Sequence, residues 1–140
     1  MPGKALIATA LMLIAGAAMA QDDTAAGKEI VSKRCKTCHS VVDGDNVVVK
    51  GGKVGPNLFG VVGRQAGALT DYKAYGDDLA ALGATGFAWT EAAIFEYLED
   101  PTNFLRSHLD NPHARSKMSF KLRDEEDRKA AAHFLASLSQ

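Results

Sequence analysis

Cys35-Lys36-Thr37-Cys38-His39 is the stretch whose reading decides the fold. Two thiols three positions apart, followed at once by an imidazole, match the C-x-x-C-H pattern of covalent c-type haem attachment. Two thioethers would pin one edge of a porphyrin, and the adjoining histidine would be held beneath the ring with Nε2 toward iron. Other readings of these five residues have less behind them. Zinc needs four ligands, commonly from a second pair of the same kind, yet the chain holds only two cysteines. A thioredoxin-type pair would follow a strand in a βαβ unit, whereas the residues before Cys35 read as helix. A disulfide across two intervening residues closes too small a loop to stabilise much.

Working outward toward the N-terminus, Lys4 precedes an uncharged apolar run, Ala5 to Ala17, and then Ala18-Met19-Ala20. This is the pattern of a secretory signal peptide with an A-x-A cleavage site, so residues 1–20 are expected to be removed and 21–140 to form one domain. The run is short for a membrane span. A chain of that size buries roughly two-thirds of its unfolded surface, enough for one core. The expected home is the periplasm.

The full chain is almost neutral, with 16 basic and 17 acidic residues. No global basic field points to nucleic acid. The charges are nevertheless segregated. Lys28–Lys53 holds six basic and three acidic residues, Arg106–Arg123 five and one, and Asp71–Asp100 one and seven. A strong dipole is expected, with the acidic middle segment lying mostly away from the two basic ones.

Asp23 or Thr24 can cap a first helix running to about Arg34, with Ile30 and Val31 as inward candidates. Gly27 within it suggests close packing against another element. Val41-Val42 and Val47-Val48-Val49 flank Asp43-Gly44-Asp45-Asn46 and fit a small hairpin. Glycines from Gly51 to Gly67 mark irregular loop. A short helix is expected within Asp71–Leu82, ended by Gly83. Thr90 caps the clearest middle helix, Glu91–Glu99, which Pro101 terminates. Arg106–Ser116 reads as polar loop. The last helix opens with Asp124-Glu125-Glu126-Asp127 and carries Ala131, Phe134, Leu135 and Leu138 on one face.

If iron is present, it needs a sixth ligand. Met1, Met12 and Met19 leave with the signal peptide, so Met118 is the sole methionine of the remaining segment. Methionine usually fills gaps in a core. Met118 instead sits in polar Ser116-Lys117-Met118-Ser119-Phe120, outside any periodic apolar pattern, which favours ligation. His108, His113 and His133 are the competing candidates.

These residues together resemble a family. Cys35 to His39, Gly55-Pro56-Asn57-Leu58-Phe59-Gly60, Trp89, Tyr97-Leu98 before Pro101, and Lys117-Met118 with Phe120 occur in the order of class I cytochromes c. The longer loops at Asp43–Lys53 and Arg106–Ser116 make the chain most similar to the bacterial cytochrome c2 and c550 group. The resemblance, which covers Gly27 to Leu138, implies an all-α fold of four to five helices wrapped around one haem c, with a minor hairpin near 41–50. It also implies His39 as proximal ligand with the Pro56 carbonyl on its Nδ1, and Met118 as distal ligand. Tyr97 would hydrogen-bond near the sulfur. Tyr75, Trp89 and Arg64 would hold the propionate region, and Gly27 would let the first helix cross the last near Phe134. Val31 departs from the aromatic residue usual at that crossing.

Iron ligated on both faces offers no open substrate site, so the implied action is outer-sphere transfer of one electron, not catalysis. The implied partners are a cytochrome bc complex as donor and a photosynthetic reaction centre or terminal oxidase as acceptor. A monomer is expected, docking transiently through Lys33, Arg34, Lys36, Lys53, Lys117 and Lys121. A haem peroxidase would need catalytic groups beside a vacant distal position. A gas sensor would place C-x-x-C-H near the C-terminus of a four-helix bundle.

Overall fold

A computed structural model describes residues 16–139, with side chains from Asp23 onward. Its elements in chain order are α1 (Gly16–Arg34), β1 (Val41–Asp43), β2 (Asn46–Val49), α2 (Asp77–Ala84), α3 (Glu91–Glu99), α4 (Pro101–Leu109) and α5 (Glu125–Ser137). The chain is thus all-α apart from one hairpin, as the resemblance implies.

The N- and C-terminal helices cross in close contact, and α3 packs against α5 from the other side. Gly27 makes the crossing possible. A Cβ there would overlap the Ala130 carbonyl oxygen and stand 2.5 Å from Phe134 Cβ. Val31, one turn on, is 1 % exposed and packs with Ala131, Phe134 and Leu135 in the core. A β-branched residue therefore fills the place where the family uses an aromatic one.

Three helices open on side-chain caps. Thr90 Oγ1 accepts the Ala93 N–H at 3.0 Å and opens α3. Asp124 Oδ1 accepts the Asp127 N–H at 2.9 Å and opens α5, whose first-turn acids Glu125, Glu126 and Asp127 suit the positive helix end. Asp100 Oδ1 accepts the Asn103 N–H and opens α4.

That last helix corrects one expectation. Arg106–Leu109 is helical, and the loop begins only at Asp110, whose φ of 48° ends α4 in the left-handed region. Pro101 stops α3 but also occupies the first turn of α4, where its missing N–H costs nothing. Phe104 and Leu105 anchor the helix in the core while Arg106, Ser107 and His108 face outward.

Two other boundaries differ as well. The short middle helix starts at Asp77, inside the expected range, but it passes through Gly83, which was expected to end it, to Ala84. Gly83 is there for contact: a Cβ would overlap the Ala66 carbonyl oxygen, and the Gln65 side chain donates to the Gly83 carbonyl. Helix α1 begins at Gly16, so Asp23 and Thr24 lie within it instead of capping it. The alanine-rich run across 17–26 has no proline to break it, and helix propagates through it readily. The remainder of the expected signal peptide, 1–15, lies outside the described residues. Among the described residues no helix is long and apolar enough to cross a membrane.

The hairpin forms with Val41 opposite Val49 and Asp43 opposite Asn46, irregular between Val41 and Val42. It is tied to the next loop by Asn57, which accepts the Val42 N–H at 3.0 Å and donates to the Val42 carbonyl at 2.7 Å.

Candidate functional site

Helix α1 delivers the cysteine-histidine stretch as a tight turn off its C-terminal end. The Cys35 N–H still bonds the Val31 carbonyl at 3.0 Å, and the Cys38 and His39 N–H groups both return to the Cys35 carbonyl, at 3.1 and 2.9 Å. The turn is then gripped from outside by the glycine-rich loop. Gly52 N–H bonds the Lys36 carbonyl at 2.8 Å and Gly55 N–H the Cys38 carbonyl at 2.7 Å. A Cβ on Gly51 would stand 2.7 Å from the His39 carbonyl carbon. One on Gly55 would press into the His39 ring, 2.6 Å from Nδ1 and 2.7 Å from Nε2. Sequence reading treated these glycines as punctuation. Their function is to let the loop backbone lie directly against the turn, and only their clustering hinted at it.

His39 is the centre of this arrangement. Its Nδ1 lies 2.7 Å from the Pro56 carbonyl oxygen, which can only accept. The proton therefore sits on Nδ1, and Nε2 keeps its lone pair for a metal. Burial pushes the imidazole below its ordinary pKa, while the Pro56 bond pulls the other way. The outcome is a neutral, oriented ring. Burial likewise pushes the Cys35 thiol up to about 11, keeping it protonated, whereas Cys38 is exposed.

Met118 is partly buried against the core. Its N–H donates to Ser116 Oγ at 3.1 Å. Ser116 in turn gathers two helices: its N–H donates to Thr102 Oγ1 of α4 at 3.2 Å, and its hydroxyl lies 3.0 Å from Tyr97 OH of α3. The expected partner of Tyr97 was the neighbourhood of the methionine sulfur, and here the phenol reaches the residue two before it. Burial raises the Tyr97 pKa, with the Ser116 bond acting against it. Arg34, next to Cys35, lies over the Phe120 ring at 5.9 Å, so the cysteine turn and the Met118 segment are neighbours.

Arg64, Tyr75 and Trp89 also come together. The Arg64 guanidinium donates to the Asn57 carbonyl at 3.0 Å and to the Phe59 carbonyl. Tyr75 lies close enough to Arg64 to feel its charge, and its pKa is raised by burial against the lowering influence of the Leu69 backbone and of Arg64. Trp89 N–H bonds the Arg64 carbonyl at 2.9 Å. The Trp89 ring meets Tyr97 edge-on at 5.0 Å and stacks with Phe104 at 5.8 Å. Two of the three competing histidines are otherwise engaged: His108 stacks on Phe104 at 3.8 Å, and His133 pairs with Glu91 at 3.2 Å. His113 is exposed in the loop after α4, its backbone N–H bonded to Asn111 Oδ1 at 3.0 Å.

The expected separation of charge needs correcting. Lys121 pairs with Asp100 across the acidic–basic boundary, and Lys33 pairs with Glu29. The Arg115 N–H bonds Asp78 at 2.8 Å, and Lys117 Nζ donates to the Ala74 carbonyl at 3.0 Å. Tertiary contacts thus bring acidic and basic segments side by side at several points. Lys36 and Lys53 remain exposed beside the cysteine turn.

The residues fit a haem. The donor set is two thiols, one neutral imidazole and one thioether, and the glycine cradle leaves the imidazole no freedom to turn. A zinc site fits less well, because among the described residues no three His, Cys, Asp or Glu side chains gather where they could hold a metal.

No family model matches the chain. Among curated proteins it is 48% identical over 116 residues to cytochrome c2 of Rhodobacter capsulatus, covering 82% of this chain and 83% of that one. It is 45% identical over 134 residues to cytochrome c-551 of Roseobacter denitrificans, covering 95% and 93%. The solved structure of Rhodobacter capsulatus cytochrome c2 superposes with a TM-score of 0.75 at 48% identity, over 84% of this chain and 99% of that one. Cytochrome c2 from Paracoccus denitrificans superposes with a TM-score of 0.77 at 37% identity, over 84% and 96%. With its haem-attachment turn in place and relatives this similar along nearly their whole length, the chain belongs to the cytochrome c2 family of class I cytochromes c, electron carriers and not enzymes.

Proposed function

We propose that residues 21–140 form a periplasmic one-electron shuttle, released by removal of residues 1–20. Its haem c is held by Cys35 and Cys38 and ligated by His39 and Met118. The observation that carries this reading is the His39–Pro56 bond inside the glycine cradle, which presents Nε2 as a fixed ligand. The bound haem supplies an Fe(III)/Fe(II) couple, and the chain supplies everything else. Cys35 and Cys38 would hold the group through thioethers, each thiol supplying its sulfur and its hydrogen to one vinyl substituent. Met118 contributes a soft, neutral sulfur, which favours the reduced state over a second imidazole. Arg64, with Tyr75 and Trp89 beside it, offers a positive, hydrogen-bonding corner for propionates. Tyr97 and Ser116 fix the backbone that carries Met118.

The shuttle runs between a cytochrome bc complex and a photosynthetic reaction centre or terminal oxidase. Docking uses Arg34, Lys36, Lys53 and Lys117 around the cysteine turn. Lys33 and Lys121 contribute less, since their charges are already matched by Glu29 and Asp100. Such a field accelerates encounter more than it tightens binding.

The test is the second-order rate of electron transfer between the purified holoprotein and each isolated complex, followed by stopped flow across ionic strength. The rate should fall roughly tenfold or more between 0.1 M and 1 M salt, as the Debye length shrinks from about 10 Å to about 3 Å. Lys36→Glu should reproduce part of that fall at low salt with little change in potential. Flat or rising rates, with Lys36→Glu unchanged, would replace electrostatic docking by an apolar contact. Failure to exchange electrons with any of the three complexes would remove the shuttle itself.

A further inference from the structure

Among the described residues Arg128 is the one buried charged side chain, and the proposed function does not use it. It projects from the first half of α5, 7% exposed, into the corner between α5 and α3. Nη1 donates to two successive carbonyls, Leu122 at 3.0 Å and Arg123 at 2.8 Å. The guanidinium carbon lies 4.9 Å above the Phe95 ring, and Nη2 is 3.9 Å from the exposed Glu99 carboxylate. Nε is buried without a partner.

Stability alone is a poor reason for such a residue. A buried cation loses its hydration, and a well-packed apolar side chain of similar volume often serves the fold as well or better. What arginine does here, and an apolar residue cannot, is hold two backbone carbonyls in place. Those carbonyls belong to a segment without regular secondary structure: 116–124 is neither helix nor strand. Its upstream end is fixed by Ser116, bonded to Thr102 and Tyr97. Its downstream end is fixed at Leu122, 1% exposed, whose N–H bonds the Leu98 carbonyl at 2.8 Å and whose carbonyl Arg128 holds. Met118 lies between the two fixed points.

We infer that Arg128 is a positioning residue for the axial methionine: by holding the Leu122 and Arg123 carbonyls it keeps the Met118 segment taut, and so sets how firmly Met118 resists displacement from iron. The inference rests on Met118 as the distal ligand, as proposed above. The cation is directional in a way lysine is not, since the planar fork can serve the carbonyls and Glu99 together. Its loss would leave the downstream end of the segment held only by the Leu122 N–H and the Lys121–Asp100 pair, without touching the haem-attachment turn.

The experiment compares holoprotein forms of Arg128→Met, Arg128→Lys and Met118→Ala with the parent. It measures imidazole binding to the ferric protein, the reduction potential and the thermal melt. Arg128→Met should bind imidazole about tenfold more tightly, the effect of losing one charge-assisted hydrogen bond, with a lowered potential. Arg128→Lys, which keeps charge and bulk and should fold in any case, should bind about threefold more tightly. A purely structural arginine would lower the melting temperature while leaving imidazole affinity and potential unchanged. Affinity within twofold of the parent in Arg128→Lys, and in Arg128→Met where it folds, overturns the inference. Met118→Ala separates the two layers. If it raises imidazole affinity strongly while the Arg128 variants do not, only the Arg128 assignment falls. If Met118→Ala itself changes nothing, the ligand assignment falls and takes this inference with it.

Discussion

Replacing Met118 by alanine should leave the haem covalently attached and make the ferrous protein bind carbon monoxide, which the parent should ignore. The thioether is the only soft distal donor the segment offers, and Ser116, Lys117 and Ser119 beside it cannot replace it in kind. Two of the three histidines that could compete are held elsewhere by Phe104 and Glu91, and the third, His113, is exposed in the loop after α4. Axial ligand identity moves haem potentials over about 0.8 V, so a fall on the order of 0.1 V should accompany the vacancy. Optical titration with carbon monoxide and a redox titration read both effects. A parent protein that binds carbon monoxide readily, or a variant that stays six-coordinate as firmly as the parent, would show that Met118 is not the ligand.

Gly27→Ala should weaken the scaffold strongly. The added Cβ would collide with backbone, the Ala130 carbonyl, and with the root of the Phe134 side chain, neither of which can rotate away. Overpacking of this kind costs about 1–3 kcal/mol, sometimes more. Alanine recovers about 1 kcal/mol of helix propensity, but relief requires α1 and α5 to separate along their whole contact. A net loss of about 2 kcal/mol, or roughly 10 °C in melting temperature, is expected. Calorimetry of the holoprotein checks it, and an unchanged melt would mean the crossing relaxes cheaply.

The elements that were legible in the sequence are those with a local cause. Thr90 and Asp124 open α3 and α5 by their own side chains, the valine runs around Gly44 make the hairpin, and Gly27 announces a close approach. Helix α4 was hidden because Pro101 serves as both a stop and a start, and because only Phe104, Leu105 and Leu109 of its nine residues are strongly apolar. The start of α2 was obscured by acids at Asp71 as well as Asp77. Met118 and His39 stood out by residue type and spacing. Their supports did not, since Ser116, Asn57 and the glycine cradle act on residues 14 to 19 positions away. The same blindness affected charge: Lys121 and Asp100 are 21 residues apart in sequence and touch in space. Arg128, in an acidic helix start, resembled any solvated cation until its burial was known.

Asp100 carries a liability in acid. One oxygen caps α4 through Asn103 and the other holds Lys121, three residues past Met118, so a single proton can release both. The Lys121 bond, with the Asn103 N–H behind it, holds this carboxyl below the ordinary aspartate value. A depressed pKa means its contribution is complete above the unfolded value, near 4, and fades as pH falls through the lower folded value. Acid should therefore loosen α4 and the methionine side of the molecule first, while the proximal side, held by backbone amides and a carbonyl, keeps its grip. The carrier should lose its distal ligand before it loses its fold, and spectra taken below pH 4 should show a change at iron ahead of the collapse of helical structure.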